Sequence, residues 1–513
     1  MSINTRLTKH GYIIKKSYLS DSDLITIKND LTIRPYKPGN FGKFAKNNNF
    51  PIYLENEKFI SVPKYYGIEK IGEPDENRIE KYNYPICNME YTGTLRPRQV
   101  IIAENIMKGM NTIKGGLLVA ACGIGKTNLA IYIACQLKLK TLFIVHKDFL
   151  RRQAMDRILS TTNQTSVGRI QSKTVDIDHP FVIGMVQSLS CRDYDENIFK
   201  DFGLIIIDEV HHMSARNFSR VYQKLVTKHM LGISAEKYRA DGTYKIINWY
   251  MGPILHEESQ KPNDMVVIKK YLYRTSNEKR IKMVINKYTK EPDRSTMITN
   301  LVHIKKRNRL IINMVTKLFD DGKNVLILSG RIKHVDLLFN LLSKDPDIEG
   351  NVGKYIGSMK EHELSESSTK QIIIGSYAMA QEGLDIDGLN VVIFATPVSA
   401  TKQPIGRILR KEVYETHPIV IDIVDIDNKI FTSQSKTRHN YYFKQKYNIQ
   451  EFKVSDYALE EHKMYDNDDF INESIDMAPI KNEHVQYEQH KHTNYDYENV
   501  EFVESESDDE LEV

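Results

Sequence analysis

The stretch VAACGIGKTNLA, residues 119 to 130, constrains the fold more than any other. An apolar run, GGLLVAA (115 to 121), enters it, and a helix-patterned run, KTNLAIYIACQLK (126 to 138), leaves it. The local order is therefore buried strand, glycine loop, helix. Gly123 and Gly125 leave room for backbone N–H groups to close on a polyphosphate at the positive end of the helix. Lys126 then reaches the β and γ phosphates, and Thr127 holds Mg²⁺ through its hydroxyl. Ala120, Ala121, Cys122 and Ile124 complete the expected cradle, with Ala120 standing where the strict motif has glycine. A plain strand-to-helix turn would leave the lysine and threonine unexplained.

The next informative run is LIIIDEVHH, an apolar strand that delivers Asp208 and Glu209 at its carboxyl end, 82 residues after Lys126. Ligands of parallel sheets lie at that edge. Asp208 is placed to hold hydrated Mg²⁺ and Glu209 to deprotonate the water that attacks a γ phosphate. Metal binding and water activation need separate groups, hence two carboxylates. His211 is read as a relay of nucleotide state; neighbouring residues such as His211 and His212 point differently, which argues against a metal pair. Further on, QPIGRILR (403 to 410) sets Gln403, Gly406, Arg407 and Arg410 at Q-x-x-G-R-x-x-R spacing. Arg407 and Arg410 are three apart and share a helix face, so both guanidiniums can address a phosphate across a cleft.

Alternating apolar runs and helix-like stretches recur over residues 91–255 and again over 256–455, implying two parallel-sheet α/β domains. A Lys-rich, Pro-containing stretch from Glu257 to Asn300 is read as the join and the opening strands of the second. Residues 1–90 mix short apolar alternations with turns, the pattern of an N-terminal α+β extension. The formal net charge of +4 divides sharply: Glu461 to Val513 carries −14 and the rest about +18. A basic body suits a polyanionic partner, and the tail, 456–513, is too acidic and polar to fold alone. Cys87, Cys122, Cys135 and Cys191 stand at none of the close spacings zinc needs. No run approaches the roughly 18 apolar residues of a membrane span, and the first residues have no signal-peptide pattern. A soluble, intracellular protein is the expectation.

The set AACGIGKT, DEVH, GISAEKYRADG, QEGLDI and QPIGRILR, in that order over about residues 95 to 410, resembles the superfamily 2 helicases and translocases. Within them it is similar to XPB-type DNA helicases and to the transcript-release DNA helicase of poxviruses and related large DNA viruses. The resemblance implies two tandem RecA-like domains with ATP and Mg²⁺ held between them, a nucleic-acid strand across their top, and catalytic roles for Lys126, Asp208, Glu209, His211, Arg407 and Arg410. It assigns Gln99 to the adenine edge with Arg96 nearby, and Gly383, Asp385 and Gln403 to the nucleotide. Gln187, Ser188, Arg239 and Asp241 fall on strand-contacting or coupling motifs. Glu236 stands where S-A-T is usual, and Ala240 replaces the acid of R-E-D. His146, Lys147, Arg331 and His334 are further candidates for the nucleic acid.

If each domain grips the backbone, cleft closure and opening change the spacing of the grips once per turnover. The expected activity is ATP-driven movement along a duplex and its unwinding, with DNA favoured over RNA, a transcription partner, and, for a viral protein, work in the host cytoplasm and carriage in the virion. An RNA helicase, a non-unwinding motor subunit and a nucleotide-binding scaffold stay open as alternatives.

Overall fold

The computed structural model describes residues 3–34, 49–120, 123–211, 216–235, 244–258, 266–382, 386, 388–399, 401–409 and 417–456. Of the acidic tail expected from residue 456 only Asp456 is among them, and it is folded in, 1% exposed and accepting from Thr275 Oγ1 and the Ser276 N–H at 2.8 Å each; residues 457–513 lie outside. The described residues fall into two compact units, one up to residue 260 and one from residue 261.

In the first unit eight described strands form one sheet. Their order is Thr174–Asp176, Gly168–Gln171, Phe181–Met185, Thr141–Val145, Leu204–Asp208, His229–Ser234, Gly115–Ala120 and Ile254–Glu258. All neighbours run parallel except the first pair. Every residue of Gly115–Ala120, Thr141–Val145, Phe181–Met185 and His229–Ser234 is buried. That is why these strands read as unbroken apolar runs: both faces are covered. Leu118, Phe143, Ile206 and Leu231 pack on one face, and Leu117, Leu142, Ile205 and Met230 on the other, the alternation a strand dictates.

The N-terminal extension joins this second face. Its own five strands run in the order Leu54–Glu55, Phe59–Val62, Gly11–Lys15, Thr5–Thr8 and Glu76–Asn77, and its Tyr12, Ile52 and Tyr66 share one core with Tyr222, Tyr250 and Met251. Tyr66 meets Trp249 edge-on at 5.3 Å, and Tyr250 stacks on Tyr222 at 4.4 Å. The Tyr250 hydroxyl donates to the Ile52 carbonyl at 3.1 Å. The extension is thus built onto the helix Tyr244–Met251, which follows the GISAEKYRADG segment.

One joint in this packing carries a titratable group. Lys64, 4% exposed, donates its Nζ to the carbonyls of Lys228 at 3.1 Å and Thr227 at 3.5 Å. Burial pushes the ammonium down from 10.5 to about 8, against the pull of Glu80. Between pH 8 and 10.5 the unfolded chain holds a proton that the folded one has released, so stability from this group rises with pH across that window. Below pH 8 the burial penalty stands in full. The melting temperature of wild type relative to Lys64→Met should therefore rise from pH 8 to 10; parallel curves would show that the site titrates normally.

The second unit holds seven described strands in a wholly parallel sheet: Val352–Tyr355, Ile372–Ser376, Val325–Ser329, Val391–Phe394, Ile419–Asp425, Val267–Arg274 and Asn448–Ser455. Helices Lys305–Asp320 and Ile332–Leu342 lie on one face and Lys429–Lys444 on the other. The α/β class with two tandem parallel-sheet domains and an N-terminal extension is what the sequence led one to expect.

Candidate active site

Strand register assembles the site. Asp208 pairs with Ile233, and Ser234 with Val119, so the strands Leu204–Asp208, His229–Ser234 and Gly115–Ala120 end at one level on the carboxyl edge. The helix Lys126–Leu137 starts there, after Gly123 at φ +87° and Gly125 at φ +84°, a left-handed conformation that glycine adopts without strain. A Cβ added at Gly125 would also sit 2.5 Å from Gln99 Nε2. Lys126 folds back, its Nζ donating to the Ala120 carbonyl at 3.0 Å. Ile124 is buried and Thr127 half-buried. Ala121 and Cys122 lie outside the described residues.

Gln99, expected on an adenine edge, is placed differently. It is 3% exposed, accepts from the Arg96 N–H at 2.8 Å and donates to the Ile124 carbonyl at 2.8 Å. Both ends of its amide are committed, so in this structure it braces the glycine loop at Ile124. Arg96 stands exposed at the head of the helix Pro97–Thr112.

The carboxylates form a connected group. The Glu209 N–H donates to Asp208 Oδ1 at 2.9 Å. Glu209 itself has φ +47°, a left-handed conformation that costs a non-glycine residue about 1–2 kcal/mol. The turn brings Glu209 Oε2 to 3.3 Å from His211 Nδ1 and 3.4 Å from the Ala235 N–H that donates to it. His211 Nδ1 is also hydrogen-bonded to Ser234 Oγ at 2.9 Å. Both residues are nearly enclosed, at 6% and 1% exposure. Burial first, then the Glu209 charge, raise the Asp208 carboxyl to about 7, while Lys126 and the Glu209 N–H pull it back.

Along the same edge lie His146, Lys147, Gln187 and Ser188, just beyond the adjacent strands Thr141–Val145 and Phe181–Met185. Gln187 is exposed and its Nε2 donates to the His146 carbonyl at 2.6 Å. Ser188 accepts from the Ser172 N–H at 2.9 Å. The His146 ring, at 7% exposure, is turned into the protein and offers a strand little surface.

In the second unit His334, expected on nucleic acid, is instead an interior residue at 1% exposure. Its Nδ1 bonds Ser329 Oγ and its Nε2 bonds Asn308 Oδ1, each at 3.0 Å. Burial and the Arg307 charge lower its pKa to about 3, which keeps the ring neutral. Arg331 is engaged as well, donating to Thr299 Oγ1, Ser295 Oγ and the Ser295 and Gly330 carbonyls at 2.6–3.0 Å. Gln403 is half-buried, its Oε1 enclosed and without a hydrogen-bond partner among the described residues. Arg407 lies in the helix Lys402–Ile408, its side chain outside the description. Arg410, His212, Glu236, Arg239, Ala240, Asp241, Gly383 and Asp385 also lie outside the described residues.

Comparison with known proteins decides the family. The model described as "Type III restriction enzyme, res subunit" matches residues 92–237. "Putative ATP-dependent RNA helicase L396" of Acanthamoeba polyphaga mimivirus is 57% identical over 480 residues, spanning 93% of this chain and 92% of its own. The chain belongs to the superfamily 2 helicases. The helicase is likewise similar to "Putative helicase 161L" of Invertebrate iridescent virus 6, 27% identical over 384 residues, 70% of this chain and 83% of that one. It is similar too to "DNA 3'-5' translocase XPB2" of Sulfurisphaera tokodaii, 29% identical over 212 residues, 39% and 44% of the two chains. The helicase is an ATP-hydrolysing enzyme. Among its described residues no helix is long and apolar enough to cross a membrane.

Two buried ion pairs of the helicase gave no sequence signal. Arg307, fully buried, donates Nε and Nη2 to the two oxygens of Asp425 at 2.7 and 3.0 Å, and Nη1 to the Ala395 carbonyl at 2.6 Å. On the opposite face Arg438 donates to both oxygens of Asp422, which also accepts from the Tyr442 hydroxyl at 3.0 Å. Asp422 and Asp425 are three apart on one strand, so they point to opposite faces.

Proposed function

We propose that the helicase couples ATP hydrolysis to movement along DNA and to its unwinding, in viral transcription within the host cytoplasm. The observation that carries the reading is the continuous contact path from Asp208 and Glu209 through His211 and Ser234 to Ala235, the start of GISAEKYRADG. Any rearrangement of Glu209 against a nucleotide is felt directly at Ala235 and, through the His211 ring, at Ser234.

The donor set fits MgATP. Two left-handed glycines open the loop, the Lys126 Nζ donates to a backbone carbonyl that a phosphate can replace, and burial and the Glu209 charge raise the Asp208 carboxyl, which a cation would offset. Thr127 and Asp208 would hold Mg²⁺, which when bound offsets the charge developing on the γ phosphate. Glu209 accepts the proton of the attacking water. The motif resemblance further assigns Arg407 and Arg410 to the phosphates, and Gly383, Asp385 and Gln403 to the nucleotide. Lys147, Gln187 and Ser188 contact the strand from the first domain, and Arg239 and Asp241 contact or couple to it. His146 and His334, both interior, take no part in strand contact.

DNA is favoured because the motif set is similar to that of XPB-type enzymes, one of which is named a DNA translocase. RNA is the second reading, because the mimivirus relative carries the name of an RNA helicase. ATPase rates with duplex DNA, duplex RNA or no strand separate them: stimulation by DNA well beyond RNA is expected, and stimulation by RNA alone overturns the DNA reading.

A further inference from the structure

The Lys-rich join is more than a linker. Between the strand Val267–Arg274 and the helix Arg294–Leu301 the chain forms a projecting hairpin whose base is fixed and whose tip is bare. At the base, Ile281, Met297, Leu301, Ile304 and Phe431 make a small core against which Val284 packs, and Asn428 donates to the Ile281 carbonyl at 2.9 Å. The arms are joined by the Asp293 N–H to the Val284 carbonyl and the Asn286 N–H to the Glu291 carbonyl, both at 2.8 Å. At the tip Asn286 Oδ1 accepts from the N–H groups of Tyr288 and Thr289 at 2.9 and 3.2 Å, and Lys290 closes the turn at φ +60°.

This locked turn holds Tyr288 at 95% exposure, with Ile285 at 47% beside it. A ring so placed contributes nothing to the core. Between Glu278 and Arg294 there are six Lys or Arg against three Asp or Glu, and Lys287 and Lys290 flank the ring. An aromatic face held out among cations, on a backbone that needs no ordering, is the arrangement that stacks bases of a single strand while neighbouring ammonium groups meet its phosphates.

We propose that this hairpin is a stacking contact for single-stranded nucleic acid, with the Tyr288 ring on a base and Lys287 and Lys290 on adjoining phosphates. The proposal rests on the strand-tracking reading above and adds a contact outside every motif that supports it.

Binding of the full chain to a fluorescent single-stranded oligo-dT, followed by anisotropy across a salt series, tests it. Tyr288→Ala should weaken binding about tenfold with the salt slope unchanged, and Tyr288→Phe should restore it, because stacking needs the ring and not the hydroxyl. Lys287→Ala with Lys290→Ala should flatten the logarithmic salt slope by about 1.4. ATPase without a strand should stay at wild-type level in all three, since the exposed tip supports no fold. Equal affinity of Tyr288→Ala and wild type overturns the contact and hands the hairpin to a protein partner; failure of Tyr288→Phe to restore binding also overturns it. A wild-type chain that binds no strand sinks the tracking function and this contact with it.

Discussion

Lys126→Ala and Glu209→Gln are both expected to abolish strand-stimulated ATP hydrolysis, the first by about 10²-fold or more and the second by about 10²- to 10⁴-fold, yet to part on nucleotide binding. The reason lies in Asp208. Its carboxyl is held high by burial and by the Glu209 charge, and held down by Lys126. Removing the lysine takes away a phosphate ligand and raises Asp208 further, so at neutral pH less of it is ionised to meet Mg²⁺. Replacing Glu209 by glutamine removes the repelling charge, so the Asp208 carboxyl falls, with burial still holding it up, and more of it is ionised at neutral pH than in wild type. The glutamine amide oxygen can still accept from the Ala235 N–H. Lys126→Ala should therefore lose both turnover and MgATP affinity, while Glu209→Gln loses turnover and holds MgATP at least as tightly as wild type. The sign of the pH dependence follows: wild-type Mg²⁺ affinity falls as pH drops through about 7, whereas in Glu209→Gln the fall begins at lower pH. Titration with a fluorescent ATP analogue between pH 5.5 and 8 reads both. Wild-type turnover in either variant would remove these residues from the chemistry, and parallel affinity losses would refute the charge coupling.

What could be read in advance follows from how local the cause is. The strand–glycine loop–helix was legible because its parts are contiguous, and the paired carboxylates because one buried strand ends on them. The folded structure bears out the local elements at Gly115–Ala120 and Lys126–Leu137. Register was not legible: nothing in LIIIDEVHH or GISAEKYRADG says that Ser234 ends level with Asp208, which is what lets His211 bond Ser234. Gln99 was placed by likeness of motif, and His334 as a candidate grip on the nucleic-acid backbone. Each is interior because of partners 25 and 26 residues distant, Ile124 for one and Asn308 for the other. The core shared by Tyr66, Trp249 and Tyr250 joins residues up to 198 apart, so the extension looked separate. The hairpin at Tyr288 was hidden by polarity: its fold rests on backbone bonds and an Asn side chain, which leave no apolar period to read.

Arg307 was hidden in the same way, since KKRNR (305 to 309) reads as a solvated basic run, and its removal should have the largest effect on stability. The helix Lys305–Asp320 buries Leu310 and Ile311 on the same sheet face as Ile421 and Ile423, and this carries the guanidinium to Asp425. Burial raises the Asp425 carboxyl, with Arg307 the main force against it. Arg307→Met leaves a carboxylate enclosed without its bidentate partner and should cost about 3–5 kcal/mol, whereas replacing both residues by apolar ones of similar volume should recover most of that. In the single variant the folded-state pKa of Asp425 climbs further above its unfolded value. Stability from that group is then full only below about pH 4 and is lost as pH rises, so the deficit against wild type narrows in acid. Urea unfolding at pH 5 and 7.5 would show it. A deficit that is the same at both pH values, or a double variant no better than the single, would mean that the loss comes from packing and not from a stranded charge. The pair also ties Ala395 to the end of the strand Ile419–Asp425, at the carboxyl edge where Gly330 donates to Thr396 Oγ1 at 2.8 Å. The double variant should therefore refold with a looser edge and an ATPase below wild type, which separates what the ion pair gives to stability from what it gives to position.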